Sequence, residues 1–233
     1  MRTRTATPTS KSTSTSAPTP EPGKPQAHAT DQPHPRVIDL EDGGRLLFFE
    51  QWLGAAEQRG LFEALSAGVW WRQEKIRMFG KELLQPRLTA AFADPGVRYR
   101  YSGLVVEPTP WPPELLDLKH RAERDADLIF NYALGNLYRE GGDSMGFHAD
   151  DEPELGKNPV IASISLGAPR RFVLKHRRLP LPRVELELTG GSLLIMAGTT
   201  QHHWHHGVPK SKRPVGPRLN LTLRRVLTRR STS

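Results

Sequence analysis

Apolar and polar positions divide the chain into three parts. Over residues 1–36 Ser, Thr, Pro, Lys and Arg dominate, and no apolar period emerges. Such a segment cannot bury enough surface to offset the entropy of ordering it, so a disordered basic tail is expected. A transit peptide has a similar composition, but the prolines here would break the amphipathic helix that it needs. From about Gly44 the pattern changes. Leu46, Leu47, Phe48 and Phe49 form a short apolar run, after which Trp52, Ala56, Leu61, Phe62 and Leu65 fall roughly at helical spacing. This predicts a packing helix that ends near Gly68.

Residues 69–106 read as strands and loops, and the aromatic/polar alternation over 97–106 predicts a half-buried strand. Pro-rich 108–113 is a loop. Leu115, Leu116, Leu118 and Ala122 then mark a helix over 114–127, with Pro113 near its first turn. From there the chain becomes almost wholly β, with short runs at 131–139, 159–166, 171–176, 183–188, 191–196 and 218–226 separated by Gly and Pro. The fold class is mainly β with flanking helices, arranged as a sandwich or jelly roll over 37–233.

Composition narrows the function. The chain has no cysteine, which excludes disulfides, zinc ribbons and thiol catalysis. It has no run of about 18 apolar residues and no apolar signal segment, so a soluble, cytoplasmic or otherwise intracellular protein without a membrane partner is expected. The formal charge of +8 and the sequence pI near 10.0 favour a polyanion, with nucleic acid first. Aromatic residues in basic surroundings strengthen that reading. Phe79-Gly80-Lys81 is bracketed by Lys75 and Arg77, a setting in which an apolar wedge enters a base step while cations hold phosphates.

The chemistry concentrates in Gly146-Phe147-His148-Ala149-Asp150-Asp151-Glu152. On an extended strand residues i and i+2 share a face, so His148 and Asp150 can grip one ion. Two histidines and a carboxylate with open positions opposite is the arrangement of non-haem Fe(II) oxygenases. His202, His203, His205 and His206 all offer a third ligand, and spacing alone does not choose among them. Arg218, Asn220, Thr222 and Arg224 are also spaced by two and alternate with Leu219, Leu221 and Leu223. That pattern suits a strand with a polar pocket on one face and core on the other. A guanidinium fork there matches a carboxylate bidentately, as lysine does not.

Asn136-Leu137-Tyr138, His148-Ala149-Asp150-Asp151-Glu152, Pro159 to Gly167, Gly191-Ser192-Leu193-Leu194, Trp204-His205-His206-Gly207 and Pro217-Arg218-Leu219-Asn220-Leu221-Thr222-Leu223-Arg224 occur in this order. Over about 75–226 this series closely resembles the AlkB family of Fe(II)/2-oxoglutarate-dependent dioxygenases, especially the members acting on duplex DNA. The resemblance implies a double-stranded β-helix core preceded by a nucleotide-recognition lid at about 70–106. It implies Fe(II) on His148, Asp150 and His206, leaving His202, His203 and His205 to the loop or to orienting roles. It places 2-oxoglutarate on Asn136, Tyr138, Arg218, Asn220, Thr222 and Arg224, with dioxygen as the second co-substrate.

On the substrate side the resemblance makes Phe79, Gly80 and Lys81 the wedge that fills the gap left by a flipped nucleotide. Tyr99, Arg100 and Tyr101 lie against the extracted base, with Tyr101 standing where phenylalanine is common. Asp151 and Glu152 accept from an exocyclic amine, and Arg87, Lys210, Lys212 and Arg213 contact the DNA backbone. The implied activity of a monomer is oxidative demethylation of 1-methyladenine or 3-methylcytosine in DNA, releasing formaldehyde, succinate and carbon dioxide. The same chemistry on RNA or tRNA is the alternative. A non-catalytic nucleic-acid-binding jelly roll is disfavoured by the complete ligand set, and a zinc hydrolase by the arginine strand.

Overall fold

The computed structural model describes residues 34–227 except 69, 79, 80, 102, 103 and 106; for 76–78, 81, 100, 101, 104 and 105 it describes the backbone alone. These residues belong to the unit Pro33–Ser233. The expected tail therefore lies almost wholly outside them, as do Phe79 and Gly80.

The first elements are β1 (Arg36–Asp39), β2 (Gly44–Phe49), α1 (Ala55–Ser66), β3 (Lys75–Met78), β4 (Lys81–Leu84), β5 (Leu88–Ala93), β6 (Arg100–Tyr101), β7 (Leu104–Val105) and α2 (Pro113–Ala126). There follow β8 (Tyr132–Tyr138), β9 (Met145–His148), β10 (Ile161–Gly167), β11 (Arg170–His176) and β12 (Val184–Leu188). The last elements among the described residues are β13 (Ser192–Gly198), α3 (Thr200–His203), β14 (Trp204–Val208) and β15 (Arg218–Arg224).

Seven strands form one sheet in the order β1-β2-β13-β10-β15-β8-β5, and four form a second, β12-β11-β14-β9. All neighbours within both sheets are antiparallel. Phe48, Leu134, Ile161, Leu194 and Met196 of the large sheet share one buried cluster with Phe172, Leu174, Leu186, Trp204 and Val208 of the small one. On its other face the large sheet packs Ile164, Leu219, Leu221 and Leu223 against Leu65 of α1 and Leu115, Leu118 and Ala122 of α2. A sheet buried on both faces explains why β13 reads as the unbroken run Leu193-Leu194-Ile195-Met196. The architecture is a jelly roll with helices on one side. Its strand β15 is unlike β13, because leucines fill only one face.

The apolar run at 46–49, which periodicity left unassigned, is strand β2, paired with β13 inside the large sheet. One local expectation is corrected. The strand expected through 97–106 is instead the two short strands β6 and β7, paired with Tyr101 opposite Leu104. Ser102-Gly103 has turn composition, so the alternation counted across it spans two strands. Strands β9 and β14 were hidden, one in a Gly-containing stretch without alternation, the other in a run of histidines.

Candidate metal and 2-oxo acid site

His148 ends β9 and His206 lies on β14, and the two are directly paired in the small sheet. Between that pair and Val208↔Met145, Gly146 and Phe147 stand opposite the single residue Gly207, which makes a β-bulge. A Cβ on Gly207 would meet the Met145 and Gly146 carbonyl oxygens at 2.9 and 3.1 Å, so only glycine fits under the bulge. The extra residue turns His148 inward. There its ring lies 4.4 Å from that of His206, and both converge with the fully buried Asp150. One ligand atom from each of the three residues falls within 4.8 Å of the other two.

The donor set fits a divalent ion. His148 Nδ1 lies 2.9 Å from the Gly146 carbonyl, so that nitrogen carries the proton and Nε2 keeps its lone pair. Burial lowers the pKa of His148 and brings that of His206 down to about 3, which leaves both imidazoles neutral at physiological pH. Burial alone would raise Asp150, but the charge of the adjacent Arg224 and the hydrogen bond that it donates hold the carboxyl below its usual range. Arg224 Nη2 donates to Asp150 Oδ1 at 2.8 Å. Asp150 Oδ2 is buried 3.9 Å from His206 Nε2, without a hydrogen-bond partner among the described residues. A buried, ionised oxygen of this kind is what a cation completes.

Strand β15 supplies the complementary half. Asn220 Nδ2 donates to Ser163 Oγ at 2.8 Å, Thr222 Oγ1 donates to Asn220 Oδ1 at 3.1 Å, and Arg218 Nη2 donates to Ser165 Oγ at 2.9 Å. Arg218 is 1% exposed, and its Nε and Nη1 have no partner among the described residues. Burial lowers its pKa to about 10, yet it remains a cation near neutral pH. A buried guanidinium with two unused donors calls for an anion, and the set therefore fits a dicarboxylate. The guanidinium carbons of Arg218 and Arg170 lie over the Tyr138 ring, 5.2 and 5.4 Å from its centre.

The residues expected on the substrate side divide. Tyr99 is buried with its ring against Tyr132, and burial pushes its hydroxyl pKa up; Glu152 faces it and is likewise raised by burial. Asp151 points elsewhere, paired with Arg177 at 2.6 Å. Only the backbone is described for Lys81, Arg100 and Tyr101. Lys210, Lys212 and Arg213 line an open cavity of about 900 Å³ together with Arg171. Arg87 is corrected. At 5% exposure it is buried, and its Nε donates to Asn136 Oδ1 at 2.7 Å, so it is not a surface contact for phosphate.

Gln201 was not anticipated, because nothing marks it within a polar run. It is fully buried, and its Oε1 accepts the backbone N–H of Asp150 at 3.0 Å. Ser163 and Ser165 did leave a signal, as polar residues alternating within an apolar strand. A second acid/histidine group, Asp42, His176 and His203, is also present. His176 Nδ1 accepts the backbone N–H groups of Arg178 and Leu179, so its Nε2 holds the proton that it donates to Asp42 at 2.9 Å. With that lone pair taken, the group is a hydrogen-bonded clasp.

Residues 45–224 match the family model described as the 2OG-Fe(II) oxygenase superfamily. The chain is 38% identical over 222 residues to the human protein named alpha-ketoglutarate-dependent dioxygenase alkB homolog 3, covering 87% of this chain and 77% of that one. It is also 38% identical over 204 residues to the human DNA oxidative demethylase ALKBH2, covering 83% and 76%. Among solved structures, that of OsALKBH1 superposes with a TM-score of 0.53 at 16% identity, covering 82% of this chain and 100% of that one, a likeness of fold.

Proposed function

The chain belongs to the 2OG-Fe(II) oxygenase superfamily and, within it, to the AlkB family, and from that premise we propose that it removes N-linked methyl groups from damaged DNA bases. It is a dioxygenase that uses Fe(II), 2-oxoglutarate and dioxygen. The observation that carries the assignment is the joining of two half-sites by one bond. Arg224, on the strand that bears the anion-binding side chains, donates to Asp150 in the metal triad.

His148, Asp150 and His206 would hold Fe(II), and Arg218, Asn220, Thr222, Arg224, Asn136 and Tyr138 would hold 2-oxoglutarate. Once bound, the metal and co-substrate supply an oxygen-atom insertion coupled to conversion of 2-oxoglutarate to succinate and carbon dioxide. The rest is done by the protein's own side chains and backbone. Gly146 keeps the His148 lone pair available, and Arg224 occupies Oδ1 so that Asp150 presents one oxygen. Arg224 lies beside the metal ligand and suits the carboxylate end nearest it; Arg218 suits the far end. A methyl group hydroxylated on a ring nitrogen is an unstable hydroxymethyl amine, which releases formaldehyde and restores the base.

The target nitrogens of 1-methyladenine and 3-methylcytosine lie on the pairing edge, so the nucleotide must be extrahelical when it reacts. In this reading Glu152 and Tyr99 bound the base, and Phe79, Gly80 and Lys81 form the wedge. Lys210, Lys212 and Arg213 meet phosphates, a monomer suffices, and duplex DNA is the favoured polymer. The name of the relative ALKBH2 supports DNA. Among the described residues no helix is long and apolar enough to cross a membrane.

The test is a formaldehyde and repaired-base assay on one sequence carrying 1-methyladenine, prepared as duplex DNA, single-stranded DNA and RNA. Fastest turnover on duplex supports the reading with Phe79 as the wedge. Turnover confined to RNA would overturn the polymer, and succinate formed without base repair would overturn the substrate class.

A further inference from the structure

We infer that Arg87 is a positioning residue for 2-oxoglutarate, acting through Asn136 and not through the nucleic-acid backbone; this rests on the reading that Asn136 touches the co-substrate. Arg87 immediately precedes β5, and Asn136 on β8 is paired with Thr89 on one side and with Asn220 on the other. The Asn136 side chain thus stands in the row that includes the anion-binding residues of β15, and it lines the same cavity as His148 and Arg224.

An asparagine amide has two orientations, and the surrounding hydrogen bonds decide between them. Here Arg87 Nε donates to Asn136 Oδ1 at 2.7 Å, and both residues are at least nine-tenths buried. The reverse orientation would set the amide NH₂ against a guanidinium N–H, donor against donor. Oδ1 is therefore committed to Arg87, and Nδ2, a donor only, is left for the oxygens of a dianion.

Arg87 is itself held in place. Its Nη1 donates to the Ser144 carbonyl at 3.4 Å, and the Ser144 N–H returns a bond to the Pro86 carbonyl at 2.9 Å. No carboxylate pairs with Arg87 among the described residues. Its charge therefore adds to those of Arg218 and Arg224 around a site that must take up two negative charges. A phosphate contact would need the guanidinium at the surface, where it is not.

The experiment uses the full chain loaded with Mn(II) without dioxygen. The dissociation constant of 2-oxoglutarate is measured by calorimetry for the parent, Arg87→Met, Arg87→Lys, Asn136→Ala and the double variant Arg87→Met/Asn136→Ala. Thermal melts confirm folding, and Arg87→Lys, which keeps a buried cation able to donate, serves if Arg87→Met does not fold. The expected result is about a tenfold weakening for Arg87→Met and for Asn136→Ala, partial recovery with Arg87→Lys, and a double variant no weaker than the worse single one. In turnover, KM for 2-oxoglutarate rises more than kcat falls. Unchanged affinity in Arg87→Met beside a weakened Asn136→Ala would overturn the inference alone, as would additive losses. An Asn136→Ala protein with parental affinity would overturn the reading on which it rests. If Arg87→Met instead lowers the salt dependence of DNA binding by about one ion with 2-oxoglutarate affinity intact, Arg87 is a phosphate contact after all.

Discussion

Arg224 Nη2 donates to Asp150 Oδ1 across 2.8 Å, and this bond leaves Oδ2 as the oxygen of that carboxylate without a hydrogen-bond partner among the described residues. Both residues are almost wholly buried, so neither charge is screened by water. Removing one partner of such a pair typically costs about 3–5 kcal/mol, because the other charge is stranded. Arg224→Met is expected to lose stability on that scale, to bind Mn(II) more weakly and to lose more than about a hundredfold in turnover. Denaturant melts and metal titration check this. Parental melting and turnover would show that the pair is dispensable.

Gln201 holds the same ligand from behind, through the Asp150 backbone N–H. Gln201→Leu leaves that donor buried without an acceptor, a penalty of about 1–3 kcal/mol, and should weaken Mn(II) binding about tenfold. Gln201→Glu restores an acceptor oxygen and should recover part of the affinity. Metal titration of the two variants side by side decides whether the hydrogen bond or only the volume matters.

The bulge makes Gly207 a sensitive position. In Gly207→Ala the new methyl group presses on the Met145 and Gly146 carbonyls at 2.9 and 3.1 Å, and the strand that carries His148 must move. A stability loss of about 1–3 kcal/mol is expected, together with a drop in bound metal. Retention of a full metal complement at parental affinity would mean that β9 absorbs the shift without moving its histidine.

Acid should destabilise the metal-free protein through two residues. Burial lowers the pKa of His148 and brings that of His206 to about 3, whereas in the unfolded chain both return to about 6.5. Between these values the unfolded state binds protons that the folded state refuses. Stability is therefore complete above about pH 6.5 and is lost as pH falls below it, for His206 down to about 3, with a slope up to about 1.4 kcal/mol per pH unit for each histidine that only the unfolded state protonates. Chelator-treated protein melted across pH 7.5 to 4.5 should show this, and His206→Asn should flatten it. Equal slopes in parent and variant would exclude His206 as the cause.

Lys210, Lys212 and Arg213 lie on the loop that follows β14. Replacing all three with alanine should lower the salt dependence of DNA binding by about 0.9 per lost phosphate contact and weaken binding alike across sequences. Binding measured between low and moderate salt tests this. An unchanged slope would remove the loop from the nucleic-acid interface.

Periodicity carried most of the architecture. α1 and α2 fall close to where apolar spacing and Pro113 put them, and the strands from β8 onward, β9 and β14 excepted, follow apolar runs bounded by Gly and Pro. The β15 pattern is legible for a simple reason: residues two apart on a strand share a face, so Arg218, Asn220, Thr222 and Arg224 had to form one polar row. The same rule suggested His148 beside Asp150; the two do converge, although β9 ends at His148 and Asp150 lies beyond it. The motif series carried the family.

Pairings between segments distant in sequence were beyond that reach. His206 meets His148 because β14 and β9 are neighbours in the small sheet, which no local period encodes. Arg87, 49 positions from Asn136, reads in the sequence as one more basic residue. Its burial depends on β5 joining β8 at the edge of the large sheet, and Asp151 turns to Arg177 for a comparable reason. Local spacing settles which side chains share a face, since backbone geometry repeats every two residues; long-range packing settles what that face meets, and with it whether a charge holds a phosphate or an amide.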